Sequence, residues 1–228
     1  MTPLRLVVFD MDGTLIDSQD FIAEAMSRAF TAMGRPAPAR PDILSIVGLS
    51  LPQAVARLAP DMDAAAVEQG AQLYKRSFIA LREERGGEAS APLYPGAREA
   101  LERLQPRDEL FLGVATGKAR RGLDHAFRAH DIGHFFHTSQ TADDHPSKPH
   151  PSMLHAALTE TGVEPGNAVM VGDTTYDIEM GRAAGCRTIG VSWGYHPVSA
   201  LSAAGADLVI EGFDALDAAL KSVWEKAA

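Results

Sequence analysis

Asp10 and Asp12 stand two residues apart at the end of the apolar run Leu6-Val7-Val8-Phe9, and Gly13 and Thr14 follow at once. Three more segments bring complementary groups. Thr116 and Gly117 close the run LFLGVATG, Asp173 follows AVMVG with Asp177 four residues on, and Lys148 lies in PSKPHPS. Clustered carboxylates repel one another, so a group of three or four calls for a cation. Hard oxygen ligands in small number, with room for water and substrate oxygens, suit Mg²⁺, which in turn favours phosphoryl oxygens. Thr116, the Gly117 N–H and Lys148 are then donors for the remaining phosphoryl oxygens. An aspartate held in this way can attack phosphorus and form an aspartyl-phosphate. A second aspartate two residues later is placed to protonate the leaving alcohol and then to activate water, help worth ~10²–10⁴ in rate. Gly13 permits a tight turn that brings backbone amides to the phosphoryl group.

These groups do chemistry together only if the fold gathers them. Short β-rich runs occur at Leu4–Phe9, Leu110–Ala115, Ala168–Val171, Thr188–Val191 and Asp207–Ile210, with a weaker one at Phe135–Thr138. Helical patterns alternate with them, and the runs are apolar throughout, as doubly covered strands require. The expectation is a doubly wound, Rossmann-like α/β fold with a parallel sheet. In such sheets ligands bind beyond the carboxyl ends of the strands, where Asp10, Thr116 and Asp173 stand.

Between residues 18 and 91 no strand pattern appears. Asp20 is a candidate cap for a helix to Met33, with Ile22, Met26, Phe30 and Met33 on one face and Gly34 as its stop. Leu51–Leu58 is a short helix, and Val67, Ala71, Tyr74, Phe78 and Leu81 mark another helix face. Tyr94-Pro95-Gly96 is a re-entry turn. The predicted organisation is an α/β core of residues 1–17 and 92–228, with an all-helical cap domain at 18–91. Linkers near Leu15–Asp20 and Gly87–Tyr94, with the Gly86-Gly87 pair, would let that cap open and close.

The motifs DMDGT, ATGK, SKPHP and GDTTYD, in this order at strand ends, resemble the four motifs of the haloacid dehalogenase superfamily. The resemblance covers essentially the whole chain, and the helical insert is similar to the cap of many members. It implies Asp10 as nucleophile, Asp12 as general acid/base, and Thr116 and Lys148 as phosphoryl-binding groups. It implies Asp173 as a Mg²⁺ ligand with Asp10 and the Asp12 backbone carbonyl, and Asp177 as support for the metal or its water. It also implies that the strands ending in Asp10 and Asp173 are neighbours, and that the Gly48-Leu49-Ser50 turn helps select substrate.

DMDGTLIDS, YPGA, KPHPSML and IGVSWGYH are most similar to phosphoglycolate-phosphatase-like members. The expected function is a Mg²⁺-dependent phosphatase for a small phosphorylated metabolite. Asp12 argues against a dehalogenase, and Thr14 leans away from a phosphomutase. A mutase or pyrophosphatase of the same superfamily, a phospho-aspartate receiver and a non-catalytic binding module are the alternatives. Length and the helical insert disfavour the receiver.

Plainer roles exist for each group. Asp and Gly favour turns, Thr116 can cap a helix, a lone lysine is usually solvated, and Asp177 suits a first helical turn. Arg57, Lys75 and Arg76 are cap cations able to meet a substrate carboxylate, though each alone is most simply a solvated helix residue. His137, His145, His150 and His155 form no pair on a single helix face and do not read as a zinc site. The single cysteine, Cys186, reads as core packing, allows no intrachain disulfide and fits a reducing compartment.

The formal net charge of −9 disfavours a nucleic-acid partner. No stretch approaches the ~20 apolar residues of a membrane span, and Asp10 interrupts the N-terminal run, unlike a signal peptide. The expected compartment is the cytoplasm. Oligomeric state is not legible.

Overall fold

The computed structural model describes residues 3–85 and 91–225. Six strands form one parallel sheet: β1 (Arg5–Phe9), β2 (Leu110–Thr116), β3 (Thr138–Thr141), β4 (Ala168–Gly172), β5 (Arg187–Val191) and β6 (Leu208–Ile210). Their spatial order is β3-β2-β1-β4-β5-β6. The chain runs outward from β1 to the β3 edge, then returns past β1 to β4. The reversal leaves a crevice at the carboxyl ends of β1 and β4, where doubly wound sheets bind ligands. The neighbours expected to carry Asp10 and Asp173 are indeed paired, with Phe9 opposite Val171.

Alternation along β1 shows why the sheet is covered on both sides. Val7 and Phe9 enter one core cluster with Leu101 and Leu216, while Leu6 and Val8 enter another with Met153, Leu154 and Met180. Successive side chains of a strand point to opposite faces, so a run apolar at every position needs helices on both. Helices α5 (Ala97–Leu104) and α10 (Leu216–Glu225) cover the first face, and α7 (Ser152–Thr161) and α8 (Thr175–Ala183) the second. Helices α6 (Arg120–His130) and α9 (Val198–Ala203) complete the described sheet unit.

Between β1 and α5 the chain forms α1 (Gln19–Ala32), α2 (Arg40–Ser45), α3 (Leu51–Leu58) and α4 (Ala64–Glu84), with no strand among the described residues. This helical block has its own core of Ile22, Met26, Phe30, Ile43 and Val55, against which Val67, Tyr74 and Phe78 pack. Tyr176 of α8 is buried in the same cluster, which joins the block to the sheet unit. Part of the expected second linker, residues 86–90 with Gly86 and Gly87, lies outside the described residues. Among the described residues no helix is long and apolar enough to cross a membrane.

Several local expectations shift. β3 spans Thr138–Thr141, not Phe135–Thr138, because Gly133–Phe135 forms a 3-10 turn and the polar TSQT segment carries the pairing with β2. There Gln140 Nε2 donates to Thr138 Oγ1 at 2.8 Å, and Ser139 Oγ accepts from Arg120 at 2.7 Å. α1 begins at Gln19 with Ser18 in the cap position and no side-chain cap bond; Asp20 pairs instead with Arg40 at 2.6 Å. Gly34 does end that helix, at φ +70°. Cys186 is buried just before β5, and burial pushes its thiol up to about 12.

Candidate active site

Asp10 is the first residue past β1, and its N–H donates to the Val171 carbonyl of β4 at 3.0 Å. That bond carries the pairing one residue beyond the strand and sets the carboxylate over the crevice. Asp173 follows β4, and Asp177 lies in the first turn of α8. One oxygen of each of these three buried carboxylates lies within 4.8 Å of the others, the only such cluster among the described residues. Lys148 Nζ sits 2.9 Å from Asp10 Oδ1 and 2.7 Å from Asp177 Oδ1, with its side chain fully buried.

The three carboxylates are not equivalent. Asp177 Oδ2 accepts from the Thr174 N–H at 3.0 Å and from Thr174 Oγ1 at 2.7 Å, a reciprocal cap of α8, while Oδ1 takes the lysine. Both its oxygens are thus engaged within the protein. Asp173 accepts from Thr14 Oγ1 and from the Tyr195 N–H, each at 2.9 Å. Neither buried oxygen of Asp10 has an aligned hydrogen-bond partner, although Lys148 stands at ion-pair distance. One ammonium does not neutralise three buried carboxylates. Burial raises the Asp10 pKa to about 7, with Asp177 and Asp12 adding to the rise and Lys148 opposing it. Burial likewise raises Asp173 well above the usual range, reinforced by Asp177 and Asp10. For Lys148, burial pulls downward, but Asp10 and Asp177 outweigh it and the net shift is upward. Unpartnered buried carboxylate oxygens in an all-oxygen donor set fit a small hard cation.

Two glycines shape the pocket around Asp173. Gly13 turns at φ +88°, and a Cβ there would lie 2.2 Å from Asp173 Oδ2. A Cβ on Gly194 would lie 2.1 Å from Asp173 Cβ. Gly194→Ala must push Asp173 aside, since no atoms approach that closely. Such overpacking costs about 1–3 kcal/mol. The expected result is a loss of that size in a urea titration together with weaker divalent-cation binding by calorimetry. An alanine variant that keeps wild-type stability and affinity would show that Asp173 is not held as described.

Asp12 points away from this cluster. Its Oδ1 lies 2.7 Å from Lys118 Nζ and accepts from Ser18 Oγ. Thr116 is buried at the end of β2, where its Oγ1 accepts from the Lys118 N–H at 3.2 Å. Gly117 faces the helical block: a Cβ there would come within 2.7 Å of both the Gly48 and the Leu49 carbonyl oxygens. Next to it the Ser50 N–H donates to Ser147 Oγ at 2.7 Å. The Tyr176 hydroxyl donates to the Ser45 carbonyl at 3.1 Å, and His196 Nε2 meets the same oxygen at 3.1 Å. The segment from Ser45 to Ser50 therefore rests directly on the sheet unit beside the carboxylates.

A cavity of about 440 Å³ opens between the two units, with Asp10, Asp12, Thr116 and Gly117 in its wall. Gly48 and Leu49 line it as well, whereas Ser50 and Arg57 do not. The Arg57 guanidinium instead lies 5.9 Å from the Tyr176 ring centre. Three of the histidines singled out in the sequence serve local structure: His145 bonds Gln140 and Ser152, His137 Nδ1 accepts from the Leu112 N–H, and His150 Nδ1 accepts from the Ser152 N–H.

Sequence reasoning assigned no role to Lys118, Gly194 or Tyr195. Lys118 directly follows the ATG turn, which was a usable signal. Gly194 and Tyr195 reach Asp173 only through the fold of the loop after β5.

The geometry offers a carboxylate cluster able to hold a cation, a separate carboxylate paired with a lysine, and backbone and hydroxyl donors beside an open cavity. Residues 7–191 match the model of the haloacid dehalogenase-like hydrolases. The chain is 33% identical to a protein of Dickeya dadantii named "Probable phosphatase IndB", over 91% of this chain and 90% of that one. It is 28% identical to the phosphoglycolate phosphatase of Photobacterium profundum, over 93% and 94%. A solved hydrolase of the haloacid dehalogenase-like family from Streptococcus pneumoniae superposes with a TM-score of 0.81 at 25% identity, covering 96% of this chain and 99% of that one. The chain belongs to the haloacid dehalogenase-like hydrolases, and within them it is similar to the phosphoglycolate phosphatases.

Proposed function

We propose that the protein hydrolyses a small phosphorylated metabolite in a Mg²⁺-dependent reaction through an aspartyl-phosphate on Asp10. The observation that carries this reading is the Asp10 carboxylate: buried, without an aligned hydrogen bond, and beside Asp173 and Lys148. Asp10, Asp173 and the Asp12 backbone carbonyl would hold Mg²⁺, with Asp177 steadying Lys148 and the metal's surroundings. When bound, the cation supplies positive charge that keeps Asp10 ionised and offsets charge on the phosphoryl oxygens.

Asp10 attacks phosphorus, and the bond from phosphorus to the ester oxygen breaks. Asp12 gives its proton to the departing alcohol. Asp12 then takes a proton from water as that water attacks the acyl-phosphate, which releases phosphate and restores Asp10. Lys118 Nζ stands 2.7 Å from Asp12 Oδ1 and holds that side chain in place. Thr116, the Gly117 amide and Lys148 orient the phosphoryl oxygens; the Gly13 N–H donates instead to the Ile16 carbonyl at 2.9 Å, so Gly13 contributes its turn and not a phosphoryl donor. Residues 18–91 act as the cap, with Gly48 and Leu49 reaching the cavity; residues 1–17 and 92–228 form the catalytic core. The assigned compartment is the cytoplasm, which suits a lone buried thiol.

The test is phosphate release from phosphoglycolate and other small phosphomonoesters with Mg²⁺, abolished by EDTA and restored by added Mg²⁺. No release from any ester, or release indifferent to EDTA, overturns the reading.

Without a cation, the raised pKa values of Asp10 and Asp173 mean that the folded chain holds protons that the unfolded chain has already released. Stability from this source is fully present below the unfolded value of 3.8 and is lost as pH rises through about 7. Protons and Mg²⁺ compete for the same oxygens. Added Mg²⁺ should therefore raise the melting temperature more at pH 8 than at pH 5 in a thermal-shift assay. Equal increments at both pH values would contradict carboxylate ligation at this cluster.

A further inference from the structure

The cavity extends well beyond the phosphoryl end. Its wall also holds apolar side chains, Ile22, Leu49 and Phe78 among them. The same wall carries Lys75, Arg76 and Arg82 from α4 and Arg121 from α6. This distribution runs against the composition. The chain has 30 Asp and Glu against 21 Lys and Arg, yet Asp10 and Asp12 are the only acids among the described residues of the wall.

The pairing of the cations differs in the same way. Away from the cavity, three arginines of the helical block are matched, Arg28 by Glu24 and Glu84, Arg35 by Asp61, and Arg40 by Asp20, while Arg57 lies over the Tyr176 ring. Among the described residues, Lys75, Arg76, Arg82 and Arg121 have no ion pair and no side-chain hydrogen bond. Arg82 is half-buried and Lys75, Arg76 and Arg121 are exposed at the cavity wall; like charges gathered there repel, and an anion placed among them relieves that repulsion. Because α4 belongs to the helical block and α6 to the sheet unit, such an anion also bridges the two.

Size points the same way. A cavity of about 440 Å³ falls in the range of pockets that hold drug-sized ligands, roughly 300–1,000 Å³. A two-carbon acid bound at Asp10 fills only a small part of that volume.

We propose that Lys75, Arg76, Arg82 and Arg121 form a distal anion subsite, so that the preferred substrate is a phosphomonoester whose alcohol has an extended apolar body ending in a second anionic group. The proposal rests on the phosphatase reading and narrows its substrate class. The phosphoryl group sits at Asp10, the apolar body spans the middle of the cavity, and the far anion meets the cations of α4 and α6.

The test compares three esters with Mg²⁺ present: the phosphate ester of 4-hydroxyphenylacetate, that of the uncharged 4-hydroxyphenylacetamide, and phosphoglycolate. The two aryl esters share their reacting bond and differ in the distal charge. The carboxylate ester is expected to exceed the amide about 10-fold in kcat/KM at low ionic strength, and to exceed phosphoglycolate as well. That margin should shrink in about 0.5 M KCl, as screened charges require. In Arg76→Ala/Arg82→Ala the ratio of carboxylate to amide should fall towards unity. In Arg35→Gln, whose partner is Asp61, the ratio should persist. Equal kcat/KM for the two aryl esters, a clear preference for phosphoglycolate, or a ratio that survives the double substitution overturns the subsite while leaving the phosphatase intact. Failure to hydrolyse any of the three, or any other phosphomonoester, removes both.

Discussion

Asp10→Asn should lower phosphate release by at least ~10³-fold, because the amide removes the nucleophilic oxygen while keeping the shape of the side chain. Loss of activity alone does not separate a missing nucleophile from a damaged fold, so stability is the second readout. Burial has raised the Asp10 pKa to about 7, so above neutrality the folded chain carries this charge at a cost. Asparagine removes that charge, and Lys148 keeps Asp177 as a partner at 2.7 Å. Without Mg²⁺ at pH 8, the variant should therefore melt at or above the wild-type temperature. With Mg²⁺ the order should reverse, because the wild type alone retains the full carboxylate set. A variant that turns over substrate at wild-type rate, or that melts far below wild type without the metal, would contradict the role assigned to this residue.

Lys148→Met tests the other side of the same balance. The lysine is fully buried and lies within ion-pair distance of Asp10 and Asp177. Removing one member of a buried ionic group leaves uncompensated charge and typically costs about 3–5 kcal/mol. The cost should be large at pH 8 and smaller at pH 5, where the raised pKa of Asp10 lets it take up a proton instead. Urea unfolding at the two pH values reads this directly. Turnover should fall about 10²–10³-fold, the usual effect of deleting one donor to a developing oxyanion. A loss below about 1 kcal/mol at pH 8 would mean that the carboxylates find another counter-charge.

Asp10, Asp12 and Asp173 were legible in the chain because each follows an apolar run that can only be a buried strand, and strand ends of a doubly wound sheet converge on one edge. The helical block was legible because periodicity in Val67, Tyr74 and Phe78 is a local property, and the structure places all three on one core. β3 was displaced because Phe135 looks like strand material, while the pairing falls on the polar Thr138–Thr141. Edge strands need only one covered neighbour, so their composition signals them weakly. The Thr174–Asp177 cap is a spacing that sequence carries, whereas the lysine that also engages Asp177 comes from another loop.

The sequence by itself determined which carboxylates stand at strand ends, the order in which strands deliver them and the presence of a helical insert. Each of these is encoded by neighbours a few residues apart. Only the tertiary structure decided that Asp12 turns to Lys118, that Gly13 and Gly194 close around Asp173, and that Arg57 lies at Tyr176 while Lys75 and Arg76 line the cavity. Those facts depend on where side chains from distant segments meet, and side-chain direction across a packed interface follows from the whole arrangement of helices on the sheet.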